Sequence, residues 1–415
     1  PTVSDCLNAF DPSADYYPIE QQIQPSNDTG FTVSYQKYYK IVNNTRTNEV
    51  FILYCSASVP IVSNVPNAKY FQVPVKNVAS LDLPTVTFLE LMNVHSSLKY
   101  VDNTLNITSP CLQKNIADNT LQNFNWNVTN VDIVFLDATQ TNNNTNKTVI
   151  VNLGDDITPL QKLEWIKFFS LFFDKEAAVK HTIDQLLYVY GCDSKNLVNI
   201  PIADRKTIAW VSFDSNVFEV KHDTYHVALI KDAGAYPIVN SSSIVKSTDD
   251  LHLIINNATI VIDESPSIAS FDTWQRKFGY YPEQNSRDIP DFITHRRVYR
   301  VNRFVNYNGY FDWSESAAAR PDIALKDLIA IQYPTYEPSY DTRWFHQFSD
   351  PSTVLTSNNC VDPNQPQSFL TCRAKNFTGD SSPIGDGSNN KDKSDSTRKL
   401  SPLAETLIIT FSILA

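Results

Sequence analysis

Residues 158–191 read TPLQKLEWIKFFSLFFDKEAAVKHTIDQLLYVYG, the longest helical pattern in the chain. Thr158 has the chemistry of an N-cap. Pro159 fits the first helical position, where its missing N–H costs nothing, and Gly191 fits a C-terminal stop. Apolar residues recur at Leu160, Leu163, Ile166, Phe169 and Phe173, then at Ala177, Ile183, Leu187 and Tyr190. That stripe is wide enough to be buried along its length. The pattern predicts one long helix, or a helix broken near Asp174.

On either side the pattern changes. Before it, Phe31–Tyr35, Phe51–Tyr54 and Val131–Leu136 are short β-branched or aromatic runs, and Val86–Leu91 has helical spacing. After it, Ile208–Phe213 and Thr259–Asp263 read as strands. Tyr225–Ala233, Leu251–Asn256 and Ile323–Ile331 read as helices, the last closed by Tyr333-Pro334. Nearly all-apolar strands alternating with helices predict α/β layers with mainly parallel sheets, covered on both faces. The expected fold class is α/β: an N-terminal lobe over 1–156, an interlobe α-helix over 157–192 and a C-terminal lobe over 193–375. Residues 376–415 read as a disordered tail.

Composition narrows the function. The 415 residues carry a net charge of −11, which excludes nucleic acid as a general partner because phosphate binding needs a basic footprint. Six cysteines (Cys6, Cys55, Cys111, Cys192, Cys360 and Cys372) are widely spaced with no CxxC, so three bridges are expected, with their pairing open. Sequons N-x-S/T stand at Asn27, Asn43, Asn106, Asn127, Asn143, Asn146, Asn240, Asn257 and Asn376. Together they place the chain in an oxidising, lumenal or extracellular setting. The chain does not begin with Met, and a removed leader is expected. Its end passes from a polar stretch with Gly385, Gly387 and Ser388 to an apolar run over 400–415. That is the layout of a GPI-attachment signal, which predicts membrane anchoring at the cell surface.

No HExxH, GxSxG, GxGxxG or P-loop occurs, and with nine glycines a phosphate cradle is not expected. The sequence predicts no catalytic residues, no metal ligands and no intrinsic cofactor. His222 and His226, four apart, read as surface histidines for want of a third ligand. Asp312 and Glu315 read as solvated or capping carboxylates rather than an acid–base pair. The basic run 294-THRRVYRVNRF-304 is more distinctive. Read as a strand it sends Arg297, Tyr299 and Arg303 one way and Arg296 and Arg300 the other. Guanidinium groups grip carboxylates in bidentate fashion, so Arg297, Tyr299 and Arg300 are candidate ligand contacts.

Ligands of open α/β sheets bind beyond the carboxyl ends of strands, in pockets walled by aromatics. On that logic Tyr35, Tyr38 and Ser56 in the first lobe, and Trp210, Phe213, Trp274 and Trp313 in the second, join the candidate ligand-binding set.

Several stretches resemble one known family in order and spacing. They are VTFLELMNV (86–94), VDIVFLD (131–137), TPLQKLEWIKFFSLFFDKEAA (158–178), KTIAWVSFDSN (206–216) and YHVALIKDAGAYPIV (225–239), where Ala235 replaces the family's last Gly. TDDLHLIINNATIVID (248–263) and WSESAAARPDIALKDLIAIQYPTY (313–336) complete them. Over about residues 30–345 the chain is similar to the class III periplasmic binding proteins. That family captures iron–siderophore complexes, haem, cobalamin or transition metals in a cleft between two lobes. The sequons and the terminal signal depart from bacterial members and point to a fungal-type surface homologue. The resemblance implies a non-enzymatic, monomeric binder of a ferric siderophore, handing it to a permease or reductase. The alternative is a surface adhesin or effector that keeps this fold without a small-molecule site.

Overall fold

Thr158 caps the helical stretch as its sequence demands. Its side chain accepts from Gln161 N while the Gln161 side chain accepts from Thr158 N, a reciprocal capping box. In this computed structural model, which describes residues 10–26, 28–63, 65–143, 145–240, 243–281 and 289–380, the stretch is two helices. The first, Pro159–Phe173, stops at Asp174, whose φ of 50° is left-handed. The second runs Glu176–Asn196, straight through Gly191. A residue far away in sequence fixes the break. The fully buried Lys40 ammonium donates to Leu171 O (2.7 Å), Asp174 Oδ1 (2.6 Å) and Glu176 Oε1 (2.7 Å).

Helices and strands are labelled in chain order. The first lobe has two sheets. Strands β1 (Phe31–Tyr35), β2 (Tyr39–Asn44), β3 (Glu49–Tyr54) and β4 (Lys69–Gln72) lie in sequential order, antiparallel until β4 joins β3 in parallel. The second sheet is wholly parallel, in the order β7 (Gln122–Asn123), β6 (Leu98–Val101), β5 (Val78–Ser80), β8 (Ile133–Asp137), β9 (Thr148–Val151). Helices α1 (Thr85–Leu91) and α2 (Pro110–Ala117) follow β5 and β6.

Helix α3 (Pro159–Phe173) is apolar on nearly every side because it lies between these sheets. Its Trp165 and Phe168 meet Phe31 of β1, while Phe169 and Phe172 meet Phe135 of β8. Helix α4 (Glu176–Asn196) puts Val179, Ile183 and Leu186 into that core and Tyr190 into the core of the second lobe. It therefore belongs to both lobes.

The second lobe is a mixed sheet built on β10 (Thr207–Asp214). Parallel β14 (Ile260–Asp263) and β15 (Val298–Arg300) lie on one side; on the other is antiparallel β11 (Val217–Val220), which pairs antiparallel in turn with β13 (Ile244–Val245). The short β12 (Tyr236–Pro237) pairs with β10, and β17 (His346–Gln347) with β15. A separate pair, β16 (Phe304–Asn306) and β18 (Thr353–Leu355), completes the strands. Its helices are α5 (Thr224–Asp232), α6 (Thr248–Ile255), α7 (Phe271–Lys277), α8 (Asp291–Thr294), α9 (Asp312–Ser316) and α10 (Pro321–Gln332). The expected α/β class with parallel sheets and an intervening helical connector is observed. The antiparallel β1–β3 meander is an addition.

Two bridges form among the described residues, Cys111–Cys360 and Cys192–Cys372. Cys55 is also disulfide-bonded, and Cys6 lies outside the described residues. The two bridges anchor a closing segment over 356–377. At one end Pro363 O meets His95 Nε2 (2.8 Å) and Gln367 donates to Glu90 Oε2 (2.6 Å) in the first lobe. At the other end Lys326 donates to Thr371 O (2.8 Å) and Phe377 N to Asn196 O (3.2 Å). The ordered chain therefore runs past 375: Phe377 packs on Tyr333 and Tyr336, and Thr335 bonds Asp380. The GPI-type signal beyond Asp380 lies outside the described residues.

Candidate functional site

The loop leaving β9 carries Asp155 from the first lobe to the second. Its carbonyl accepts from Tyr225 N (3.0 Å), and its carboxylate accepts from Lys162 Nζ (2.7 Å). Facing it, Asp223 caps α5 by accepting from His226 N (3.0 Å), because a short carboxylate at that position satisfies a free helical N–H. The same carboxylate holds the His226 ring, with Nδ1 at 2.8 Å from both oxygens. From the end of β14, Glu264 places Oε1 3.7 Å from His226 Nε2. One donor atom each from Asp155, Asp223 and His226 lies within 4.8 Å of the others.

Asp155, Lys162, Tyr225, His226 and Glu264 line an interlobe cleft of about 280 Å³, walled also by Pro84, Leu153 and Trp313, with Asp223 behind the His226 ring. Trp210 lies fully buried behind it, 4.6 Å from the His226 ring and 5.6 Å from Trp313. Lys162 stands 4.2 Å over the Tyr225 ring. Two buried acceptor or donor atoms on this wall, Tyr225 Oη and Glu264 Oε1, make no hydrogen bond within the described residues.

Electrostatics tie the cluster together. Burial alone would push the Asp223 carboxyl up, but the hydrogen bond and charge of His226 outweigh it and bring Asp223 to about 2. Burial likewise opposes charge on His226, yet its hydrogen bond to Asp223 and the nearby charges of Glu264 and Asp223 raise it above the ordinary imidazole value. Glu264 falls below its usual range despite burial, through His226 and Lys221. The flanking acids thus favour the protonated imidazole. It can exchange its proton for another cation held by the same donors, as a carboxylate-oriented histidine does.

Of the ten ligand contacts expected from sequence, Trp313 lines this cleft and Trp210 backs it. The other eight stand elsewhere. Tyr35 spends its hydroxyl on Ile23 N (3.1 Å) and O (3.2 Å). Tyr38 packs on Phe10, and Ser56 bonds Ser58 O. The two tyrosines pin the N-terminal segment to the first lobe. Phe213 packs on Phe218, and Trp274 is fully buried, stacked 4.2 Å from Phe278, so it cannot touch a ligand. Arg297 pairs with Asp291 (3.0 Å) on the flank. Arg300 is buried, donating to the carbonyls of Ile268 and Ser265 and lying 3.5 Å from Asp263. Tyr299 borders a groove of about 460 Å³ with Arg303 and His346. The basic run is a strand only over Val298–Arg300, since Arg296 turns left-handed at φ 51°.

The reading of His226 as a surface histidine is corrected: it is 3 % exposed. Its third and fourth partners come from the other lobe and from the end of β14, whereas His222 turns to Val220 O (3.1 Å). Asp155, Lys162, Asp223, Tyr225 and Glu264 were also missed. The available signal was positional: each acid follows the end of a strand, in NLGDD, KHDTYH and IDE.

Among the sequons, Asn127, Asn146, Asn257 and Asn376 are exposed and Asn43 and Asn240 partly so. Asn106 buries its Oδ1 near the lobe boundary, and Asn27 and the Asn143 side chain lie outside the described residues.

Solved structures resemble this chain. A periplasmic binding protein from Veillonella parvula matches at 8 % identity over 65 % of this chain and 89 % of its own, with a TM-score of 0.46. Helicobacter pylori CeuE with Ni(II) bound gives 10 %, 65 %, 88 % and 0.45. The siderophore-binding protein BauB, bound to two acinetobactin molecules and ferric iron, gives 14 %, 63 %, 94 % and 0.45. No family model and no curated protein matches the sequence. The fold class rests on the sheets and helices described above.

Proposed function

We propose that the protein is a binding protein of the cell surface or extracellular space that takes a small metal-bearing ligand, an iron chelate foremost, into its interlobe cleft. The observation that carries this reading is the joining of Asp155 from one lobe to Asp223, His226 and Glu264 of the other, beside a buried Tyr225 hydroxyl that makes no hydrogen bond. Carboxylate, phenol and imidazole donors suit first-row transition metals, iron among them. His226 and Tyr225 would approach the metal, Trp313 would cover the organic part, and Lys162 would answer an anionic group of the chelator. Disulfides at both ends of the closing segment and exposed sequons support an oxidising compartment. No helix among the described residues is long and apolar enough to cross a membrane, so attachment through the terminal signal is part of the proposal. Transfer to a permease or reductase is a further part of it.

The test is a fluorescence titration of the purified protein with ferric citrate, a ferric trihydroxamate and free Ni(II), reading Trp313 and Trp210. Saturable quenching below micromolar, lost in His226→Ala, is expected. No quenching by any of them overturns the reading. It would leave the second one, a surface adhesin or effector, which the small cleft and the tight contact beside it also support.

A further inference from the structure

Beside the cleft the lobes meet a second time, through different chemistry. Helix α9 turns Trp313 and Ser314 to the cleft, and its other side enters the first lobe. There Glu315 caps α2 from outside its own lobe, accepting from Thr108 N (2.5 Å) through Oε2 and from Ser109 N (2.9 Å) through Oε1. Its backbone carbonyl accepts from Thr87 Oγ1 (3.1 Å). Ser109 Oγ donates in turn to Glu90 of α1, whose other oxygen accepts from Gln367. Asp312 accepts from Thr108 Oγ1 (3.0 Å), Arg343 Nε (2.7 Å) and Trp344 Nε1 (2.8 Å).

Glu90, Asp312 and Glu315 are each at most 1 % exposed. The base beside them is Arg343, and it is spent on Asp312. Asp327, bonded to the backbone of residues 343–345, adds a further acid rather than a base. His95, on the turn after α1, is committed to Pro363. Three dry carboxylates cannot all stay ionised against one guanidinium, so the closed contact must retain protons.

We propose that Glu90 and Glu315 are a proton-operated latch between the lobes, shut while they carry protons and loosened when both are ionised. The direction agrees with the environment of each group. Burial lifts Glu90 to about 7, with Ser109 and Gln367 pulling it down and Asp312 pushing it up. Burial lifts Glu315 to about 8, and the charges of Glu90 and Asp312 add to it. A carboxyl that is more basic in the closed form stabilises that form at low pH, and this contribution is lost as pH rises from the free carboxyl range through about 7 and then 8. The Cys111–Cys360 bridge beside it limits the motion to a loosening. Because α9 is common to latch and cleft, loosening moves Trp313, and the cleft widens as protons leave.

Hydrogen exchange of the full, ligand-free chain tests this without reference to any ligand. Protection of the Thr108 and Ser109 amides, corrected for intrinsic rates, should fall about tenfold or more between pH 6.5 and 8.5, since one linked proton changes an equilibrium up to about tenfold per pH unit. The amides of β10 should stay protected throughout. Glu90→Gln should keep its protection across the range; should it fold poorly, Glu315→Gln, which retains one acceptor oxygen for the two amides, should show lower protection at one of them that is equal at both pH values. Equal protection of the wild type at both pH values, or the same loss in the neutral variants, would overturn the latch.

Discussion

Two of the contacts between the lobes are each built on three acids, and the two differ in what balances them. At the cleft, Asp155, Asp223 and Glu264 face Lys162, Lys221 and His226. At the latch, Glu90, Asp312 and Glu315 face Arg343. Matched bases at the cleft hold Asp223 and Glu264 below their usual range. Unmatched acids in a dry contact must hold protons instead. The same residue types thus make a site in one place and a fastening in the other, and the count of nearby bases decides which.

The strongest way to break this contrast is on binding. His226→Ala should weaken the metal-bearing ligand by at least about 100-fold, on the scale of losing one ligand and its oriented partner. It should cost only about 1 kcal/mol in urea unfolding, because Asp223 keeps its capping role. Comparable losses of stability and affinity would make the cleft structural too. Asp312→Ala should do the reverse. Stranding Arg343, the Trp344 indole and the Thr108 hydroxyl should cost about 3 kcal/mol, with affinity changed only through α9.

A sharper test uses pH. Ligand affinity should fall as pH drops through the raised value of His226, since the metal competes with a proton. Glu264→Gln removes one acid that raises His226, so the midpoint of that fall should move to lower pH. An unmoved midpoint would detach Glu264 from the site. The smallest effect is reserved for the basic run. Arg297→Ala, which frees one partly exposed ion pair with Asp291, should change stability by less than about 0.5 kcal/mol and leave the titration unaltered.

What could be read from sequence follows the range of the forces. The N-cap at Thr158 and the strand–helix alternation are local, and they are where the sequence places them. The break at Asp174 was visible in FFDKE, but its cause was not, because Lys40 reaches it across the fold. Trp274 and Trp313 are indistinguishable as letters. One stacks on Phe278 inside a lobe and the other faces the cleft, a difference set entirely by tertiary packing. His226 looked isolated for the same reason: the other lobe and a neighbouring strand end supply Asp155 and Glu264. The arginines looked functional because charge is conspicuous in sequence, yet Arg300 is spent on backbone carbonyls.

The closing segment has a practical consequence. Any single cut between Cys111 and Cys360 leaves two fragments still joined through that bridge, and a cut between Cys192 and Cys360 leaves them joined twice. A molecule nicked by a protease in a surface turn would keep its mass, and with it both halves of its cleft, until a reductant separated the pieces.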